Sequence, residues 1–433
     1  MTAPSLSRRL ARGIRTRTAH PDDLDRAERY VRDWLGCWAA GGTTPPGRAL
    51  RAHAAGEDAL DERLFVAAAL SHITETDDLH RGSVTHPGCV VVPTALVLGH
   101  ALQVSGARVL HAVLAGYEAM LRVGEALGPA HYRLFHNTAT AGVFGSAAAA
   151  ATLLDLDEDA WVWAFGNAGT QAAGLWQFNE DATMSKHLHA GHAASAGARA
   201  ARLAHQGFTG PDCILEGERG FFRALCPDAD PEAILRPASG WKLPETSLKP
   251  YPCCRHTHPA IDAALMLRPR LEAAGTLSGS LRSLRISTYG AGRDVTDAPA
   301  PTTTYAAKFS MQFCVASALL RGSPGLSSFE GSALEDPTVR AAMAVAGVDE
   351  DPGLEAAYPA RWGAVVEVVD GAGRTWVERC DAARGDPEAP LDDAALDDKV
   401  RGLFRYGGWS EEAAETLCTA SRALRTGPSF ALR

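Results

Sequence analysis

The sequence has no C-x-x-C pair, no apolar leading segment and no excess of positive charge, and each absence removes a class of function. Its nine cysteines (37, 89, 213, 226, 253, 254, 314, 380 and 418) are odd in number and widely scattered. Neither a disulfide framework nor a standard structural zinc motif is expected, and reduced thiols point to the cytoplasm. A net charge of -9 offers no electrostatic footprint for nucleic acid or an anionic membrane, so the expected partner is a small molecule. Internal repeats and low-complexity segments are also lacking. What is present is an ordinary globular composition, 46% hydrophobic over 433 residues, which is enough for two or three domains.

Two segments imitate targeting signals. The first 21 residues hold five arginines and no acid, which also suits a mitochondrial transit peptide. The run passes into PDDLDRAERYVRDWLGCWAA without a processing-like break, so the expected location stays cytoplasmic. Residues 137–154 carry no charge for 18 residues, long enough to span a bilayer. They are mostly Ala, Gly and Thr rather than Leu and Ile, so a tightly packed core helix is expected instead.

From Asp22 to Gly240 apolar residues recur at helical spacing. Small residues at three- and four-residue intervals (Ala190, Ala193, Ala194, Gly197, Ala200) predict a helix buried on most sides. Prolines 244, 250 and 252 then break the helical texture. Beyond them SLRSLRISTYG alternates like a half-buried strand, and AVVEVVDGAGRTWVERC reads as a hairpin around a Gly-rich turn. Helical spacing returns from Leu396. The expected fold is mainly α with a smaller α+β domain: residues 1–244, completed by 396–433, form a large all-helical domain, and residues 245–395 form an inserted α+β domain.

Nine of the fifteen histidines fall in four short segments. In HITETDDLHRGSVTHPG, Glu75, Asp77 and Asp78 lie among His72, His80 and His86, the mixture that orients an imidazole for proton exchange. In FHNTATAG, His136 precedes Thr138 and Thr140 at a helix start, where unpaired N–H groups favour an anion such as a carboxylate; the same threonines would equally cap a core helix. In SKHLHAGH, Lys186 and His189 share one helical face, and such a lysine either pairs with an acid or holds an anionic substrate. The proline-stiffened KPYPCCRHTHPAID adds Lys249, Arg255, His256 and His258 as anion-binding candidates. The H-x-H, H-x-x-H and CC-x-H-x-H spacings are rich in ligands but fit no standard zinc pattern, and the scattered thiols do not supply an iron–sulfur set. No metal and no cofactor is expected.

These segments together resemble the MmgE/PrpD family, whose members dehydrate, decarboxylate or epimerise small acids such as methylcitrate, cis-aconitate and iminodisuccinate. The family's His-x-x-Asp-x-Asp-Asp-Thr-His pattern followed by His-Pro appears as HITETDDLH and HPG. Its His-x-Thr-x-Thr-x-Gly turn is HNTATAG, its Lys-x-Leu-His helix is SKHLHAGHAA, and its lysine-aromatic-Pro loop is KPYPCCRHTHPAIDA. The later Lys-Phe-Ser segment is AKFSMQFCVASALL, and the likeness runs from DWLGC to GDPEAPL and LDDKV. The resemblance implies a helical domain with an α+β lid, a homodimer, and a cleft lined by Glu75, Asp77, Asp78, His80, His86, His136, Lys186, His189 and Lys249. Three positions depart from the pattern. Glu75 replaces Asp, Leu79 replaces Thr, and Phe313 stands where decarboxylase-type members have Tyr.

Removing a proton beside a carboxylate creates an enediolate-like anion, so such an enzyme needs a placed base and concentrated positive charge. Lys186, Lys249 and the turn at 137–142, with Thr138 and Thr140, are expected to hold carboxylates, with His136 or the Asp77/His86 group moving protons. Glu75, Asp78, His80, His189, Arg255 and His258 are expected to line the substrate. Dehydration or a related β-elimination is the expected reaction, because it needs the fewest special groups and Phe313 lacks a phenol proton. Epimerisation and decarboxylation are the alternatives within the same chemistry. A binding protein that lost the chemistry and a metal-dependent lyase or hydrolase are the alternatives outside it.

Overall fold

The computed structural model describes residues 3–181, 183–278 and 281–432. The chain is mainly α with a smaller α+β portion, and it divides into two compact units, Met1–Leu248 with Asp393–Arg433, and Lys249–Asp392. The inserted unit is shorter at both ends than residues 245–395, and local bonds explain both ends. Strand β1 (Leu79–His80) pairs antiparallel with β2 (Thr246–Ser247), Leu79 opposite Ser247 and His80 opposite Thr246. That ladder keeps 246 and 247 in the first unit, which is therefore not purely helical. At the other end Asp393 opens the Asp393–Tyr406 helix and its carboxylate pairs with Arg29 and Arg32.

Several helices of the first unit start where a side chain satisfies a free N–H group. Ser105 accepts from Arg108 N–H ahead of Gly106–Glu125, and Asp157 accepts from Ala160 N–H ahead of Glu158–Gly169. At the centre lie the Asn137–Leu153 and Ser185–His205 helices. A Cβ on Gly197 would stand 2.4 Å from Val143 O and 2.6 Å from Ser146 Cβ, and one on Gly142 would stand 3.1 Å from Ala193 Cβ. Ser146 Oγ donates to Ala194 O at 2.6 Å, closing the approach. The uncharged stretch at 137–154 is thus a packing device, and no helix among the described residues is long and apolar enough to cross a membrane. Because the obstacle at Gly197 is backbone, which cannot rotate away, Gly197→Ala should destabilise the fold by about 1–3 kcal/mol. Urea unfolding reads this, and an unchanged midpoint would show that the two helices can separate without cost.

The second unit builds a four-stranded sheet in the order β4-β3-β5-β6, from β3 (Leu281–Thr288), β4 (Ala346–Glu350), β5 (Ala364–Asp370) and β6 (Thr375–Cys380). β3 runs parallel to β4 and antiparallel to β5, and β5 and β6 form the hairpin. Its turn is held by Asp370, whose carboxylate accepts from the N–H groups of Ala372 and Arg374, while Gly373 takes a φ of +85°. Leu284, Ile286, Val366 and Val368 share one apolar cluster with Ile261, Leu267, Phe313 and Phe329.

Candidate active site

The Leu60–Ser71 helix ends at His72, and the loop that follows carries the acidic residues. Glu75 adopts φ +59°, unusual for a residue with a side chain. Its carboxylate accepts from Lys186 Nζ, which comes from the first turn of the Ser185–His205 helix, and both side chains are buried. On either side of Glu75, Thr74 and Thr76 join hydroxyl to hydroxyl at 2.6 Å. Lys399, from the Asp393–Tyr406 helix, donates to Thr76 O at 2.8 Å and to the Asp33 carboxylate at 2.5 Å. The C-terminal tail therefore ties down the loop immediately before Asp77.

Asp77 Oδ2 lies 2.6 Å from His72 Nδ1 and 3.4 Å from His86 Nδ1. His86 Nδ1 also lies 2.6 Å from Asp78 O. A carboxylate and a carbonyl only accept, so both rings carry their hydrogen on Nδ1. The backbone N–H of His86 donates to Thr138 Oγ1 at 3.1 Å, fixing the second ring from the start of the Asn137–Leu153 helix. His136 caps that helix, with its own N–H donating to Gly174 O at 2.9 Å. Its ring stacks on His72, 5.5 Å between centroids and 12° between planes, and packs against Trp176 at 5.0 Å. His189 Nδ1 lies 3.4 Å from His136 Nδ1, and the His187 ring stands edge-on to His72 at 6.4 Å.

Charge is tightly rationed in this cluster. Burial, then the charge of His72 and of Lys186, holds His136 neutral, well below the ordinary imidazole range. His187 is pushed down to about 3 by burial, His72 and Lys186, with Glu75 opposing. Burial, His72 and His192 lower His189 to about 4. Asp78 is pushed up to about 8, mainly by burial. The hydrogen bond from Tyr117 O–H to Oδ2 at 2.6 Å, and that from Gly88 N–H to Oδ1 at 3.0 Å, favour its ionised form, and burial outweighs them.

The structure thus brings together Glu75, Asp77, His86, His136, Lys186 and His189. Asp78 and Thr138 support that group from behind, through His86, and Thr140 gives its hydroxyl to the buried His131 at 2.9 Å. His80 belongs to a different set: its Nδ1 meets Ser83 Oγ at 2.9 Å, and its Nε2 faces Glu125 at 3.8 Å and Glu245 at 3.6 Å. In the second unit Arg255 forms a buried ion pair with Asp386 at 2.5 Å, and His258 Nε2 lies 3.3 Å from Cys253 O. Lys249 is buried. Burial opposes ionisation of the Cys253 thiol, but contacts with Cys314 and Thr257 and the charges of Lys249 and Lys308 bring it below the ordinary thiol range. His72 and His187 were not among the expected site residues. The sequence signals for His72 are its place in the same acidic segment as Asp77 and at the head of the HITETDDLH pattern.

Two groups of three metal-ligating side chains lie close together among the described residues, His72/Asp77/His86 and His80/Glu125/Glu245. In the first, the Nδ1 hydrogens already point at Asp77 and at Asp78 O, so an ion would have to displace both. In the second, Lys242 Nζ sits 2.8 Å from each carboxylate, where a cation would be. Neither group includes Cys253, Cys254, His256 or His258.

Two family models match the chain, one described as MmgE/PrpD N-terminal domain over residues 9–234 and one as MmgE/PrpD C-terminal domain over residues 251–422. The chain is 29% identical over 351 residues to a cis-aconitate decarboxylase of Homo sapiens, spanning 78% of this chain and 71% of that one. It is 28% identical over 351 residues to that of Mus musculus, spanning 78% and 70%. A cis-aconitate decarboxylase of Aspergillus terreus matches at 29% over 225 residues, 47% of this chain and 46% of the other.

Proposed function

The chain belongs to the MmgE/PrpD family, and from that premise we propose that it is a lyase that breaks a bond next to a carboxylate of a small tricarboxylate-like acid, with decarboxylation as its reaction. The observation that carries the proposal is the set of buried imidazoles around Asp77, beside the Lys186 ammonium. Loss of carbon dioxide leaves an electron pair on carbon, delocalised into a neighbouring carboxyl group. The step is helped by a poorly solvated site, a cation near the remaining carboxylates, and a nearby proton donor. Burial supplies the first, Lys186 the second, and a His86 ring that has first taken up a proton on Nε2, or the His136 ring, the third.

Elimination of water, the branch favoured by the sequence, uses the same groups and is the second reading. Its argument from Phe313 is weakened, because that ring packs on Phe329 inside an apolar core and a missing hydroxyl there says little about proton supply. Leu79 lies in the buried β1–β2 ladder, so its lost hydroxyl gives little support to a binding protein without chemistry.

Proton NMR in heavy water with cis-aconitate, citrate and aspartate-like acids separates the branches. Carbon dioxide release with one deuterium gained supports decarboxylation, an unsaturated product without it supports elimination, and exchange without net change supports epimerisation. Silence from the folded protein across the panel overturns the proposal. Lys186→Ala and His136→Ala should each lower kcat about a hundredfold or more while the protein stays folded; full activity in both refutes the assignment.

A further inference from the structure

We propose that His72 is the positioning residue of this site: by donating to Asp77 it holds the carboxylate beside His86, whose Nδ1 hydrogen Asp78 O accepts, so that the carboxylate charge compensates the ring when His86 takes up a proton on Nε2. The inference rests on the proton-moving role given to His86 above. Its geometry is a carboxylate oxygen bridging two imidazoles, with Nδ1 atoms at 2.6 Å and 3.4 Å. The two ends differ. His72 is wholly buried, at 0% exposure, whereas the His86 side chain keeps 12% of its surface open. The open end is the one that a small acid can reach, and the closed end is the one that can only act through its neighbour.

Nε2 of His72 makes no hydrogen bond among the described residues. A buried polar atom left without a partner is a cost that a packing role alone does not explain. Three rings lie against His72, those of His86 at 4.9 Å, His136 at 5.5 Å and His187 at 6.4 Å. A leucine would fill that space without stranding a nitrogen. What leucine lacks is the Nδ1–H that Asp77 accepts.

Asparagine is the discriminating substitution, because its side-chain N–H lies near the position of imidazole Nδ1 and it has nothing at Nε2. If His72 acts only through Asp77, His72→Leu lowers kcat roughly ten- to hundredfold with little change in KM, the usual size of an orienting contact, and His72→Asn restores most of it. The proposal is overturned if Asn is as impaired as Leu, which would put the chemistry on Nε2, or if Leu is as active as the native protein. A second measurement does not depend on turnover. Imidazole ¹⁵N NMR across pH should show His86 taking up its second proton at a lower pH in the Leu variant than in the native protein and the Asn variant, because the Asp77 carboxylate is no longer held beside the ring. Should no acid on the panel react, the lyase reading falls while this titration still decides the role of His72. An unchanged His86 titration in the Leu variant overturns it.

Discussion

Asp77→Asn should remove nearly all activity, with kcat reduced by about a thousandfold or more, the scale seen when an amide replaces the carboxylate that orients a catalytic imidazole. Asp77 Oδ2 faces two ring nitrogens that both carry hydrogen. An amide oxygen in that place still accepts but brings no charge, and an amide nitrogen there turns a donor toward both rings. Either way the negative charge that compensates a protonated ring disappears. Size and shape hardly change, and Thr76, one residue before, stays anchored by Lys399. Circular dichroism should therefore report a native fold and KM should move little, which separates this result from simple unfolding. A variant with more than a tenth of native kcat would place the proton chemistry elsewhere in the cluster.

What could be read from the sequence, and what could not, follows from range along the chain. Helical texture up to residue 240, the break at prolines 244, 250 and 252, and the hairpin turned at Gly373 are local patterns and were legible. β4 was not, because AGVDE has no alternation and becomes a strand only through its parallel partner β3. The β1–β2 ladder joins two-residue strands across more than a hundred and sixty positions, too short for any periodicity. That ladder explains His80 as well. Three residues from Asp77 in sequence, it is carried by its pairing with Thr246 toward Glu245 and Glu125. Arg255 read as a free cation because nothing local shows that Asp386 neutralises it. His72 read as one of three histidines in an acidic segment, and its contact with Asp77 appears only once the chain bends back at Glu75.

Acid should destabilise the first unit before its exposed carboxylates take up protons. In the folded chain His136 stays neutral well below the ordinary range and His187 down to about 3. In the unfolded chain each binds a proton below about pH 6.5. The unfolded state then holds more protons, so stability is complete above that pH and falls on acidification, by about 1.4 kcal/mol per pH unit for each fully buried group. His189, lowered to about 4, acts in the same direction but is partly exposed and adds less. Asp78 opposes them. Pushed up to about 8, it keeps a proton in the fold that the unfolded chain releases above about pH 4, so its contribution favours folding at low pH and is lost as pH rises toward 8. Glu28, raised by burial, adds to that offset nearer its own range. Between pH 6.5 and 5, two histidines against one aspartate leave a net loss of about 2 kcal/mol. Urea midpoints at pH 7, 6 and 5 measure the slope, and a flat profile would mean that the histidines ionise inside the fold. Asp78→Asn removes the opposing group, so its profile below pH 6.5 should be about twice as steep as the native one. An unchanged slope in that variant would show that Asp78 is ionised in the native protein, with the bonds from Tyr117 and Gly88 outweighing its burial.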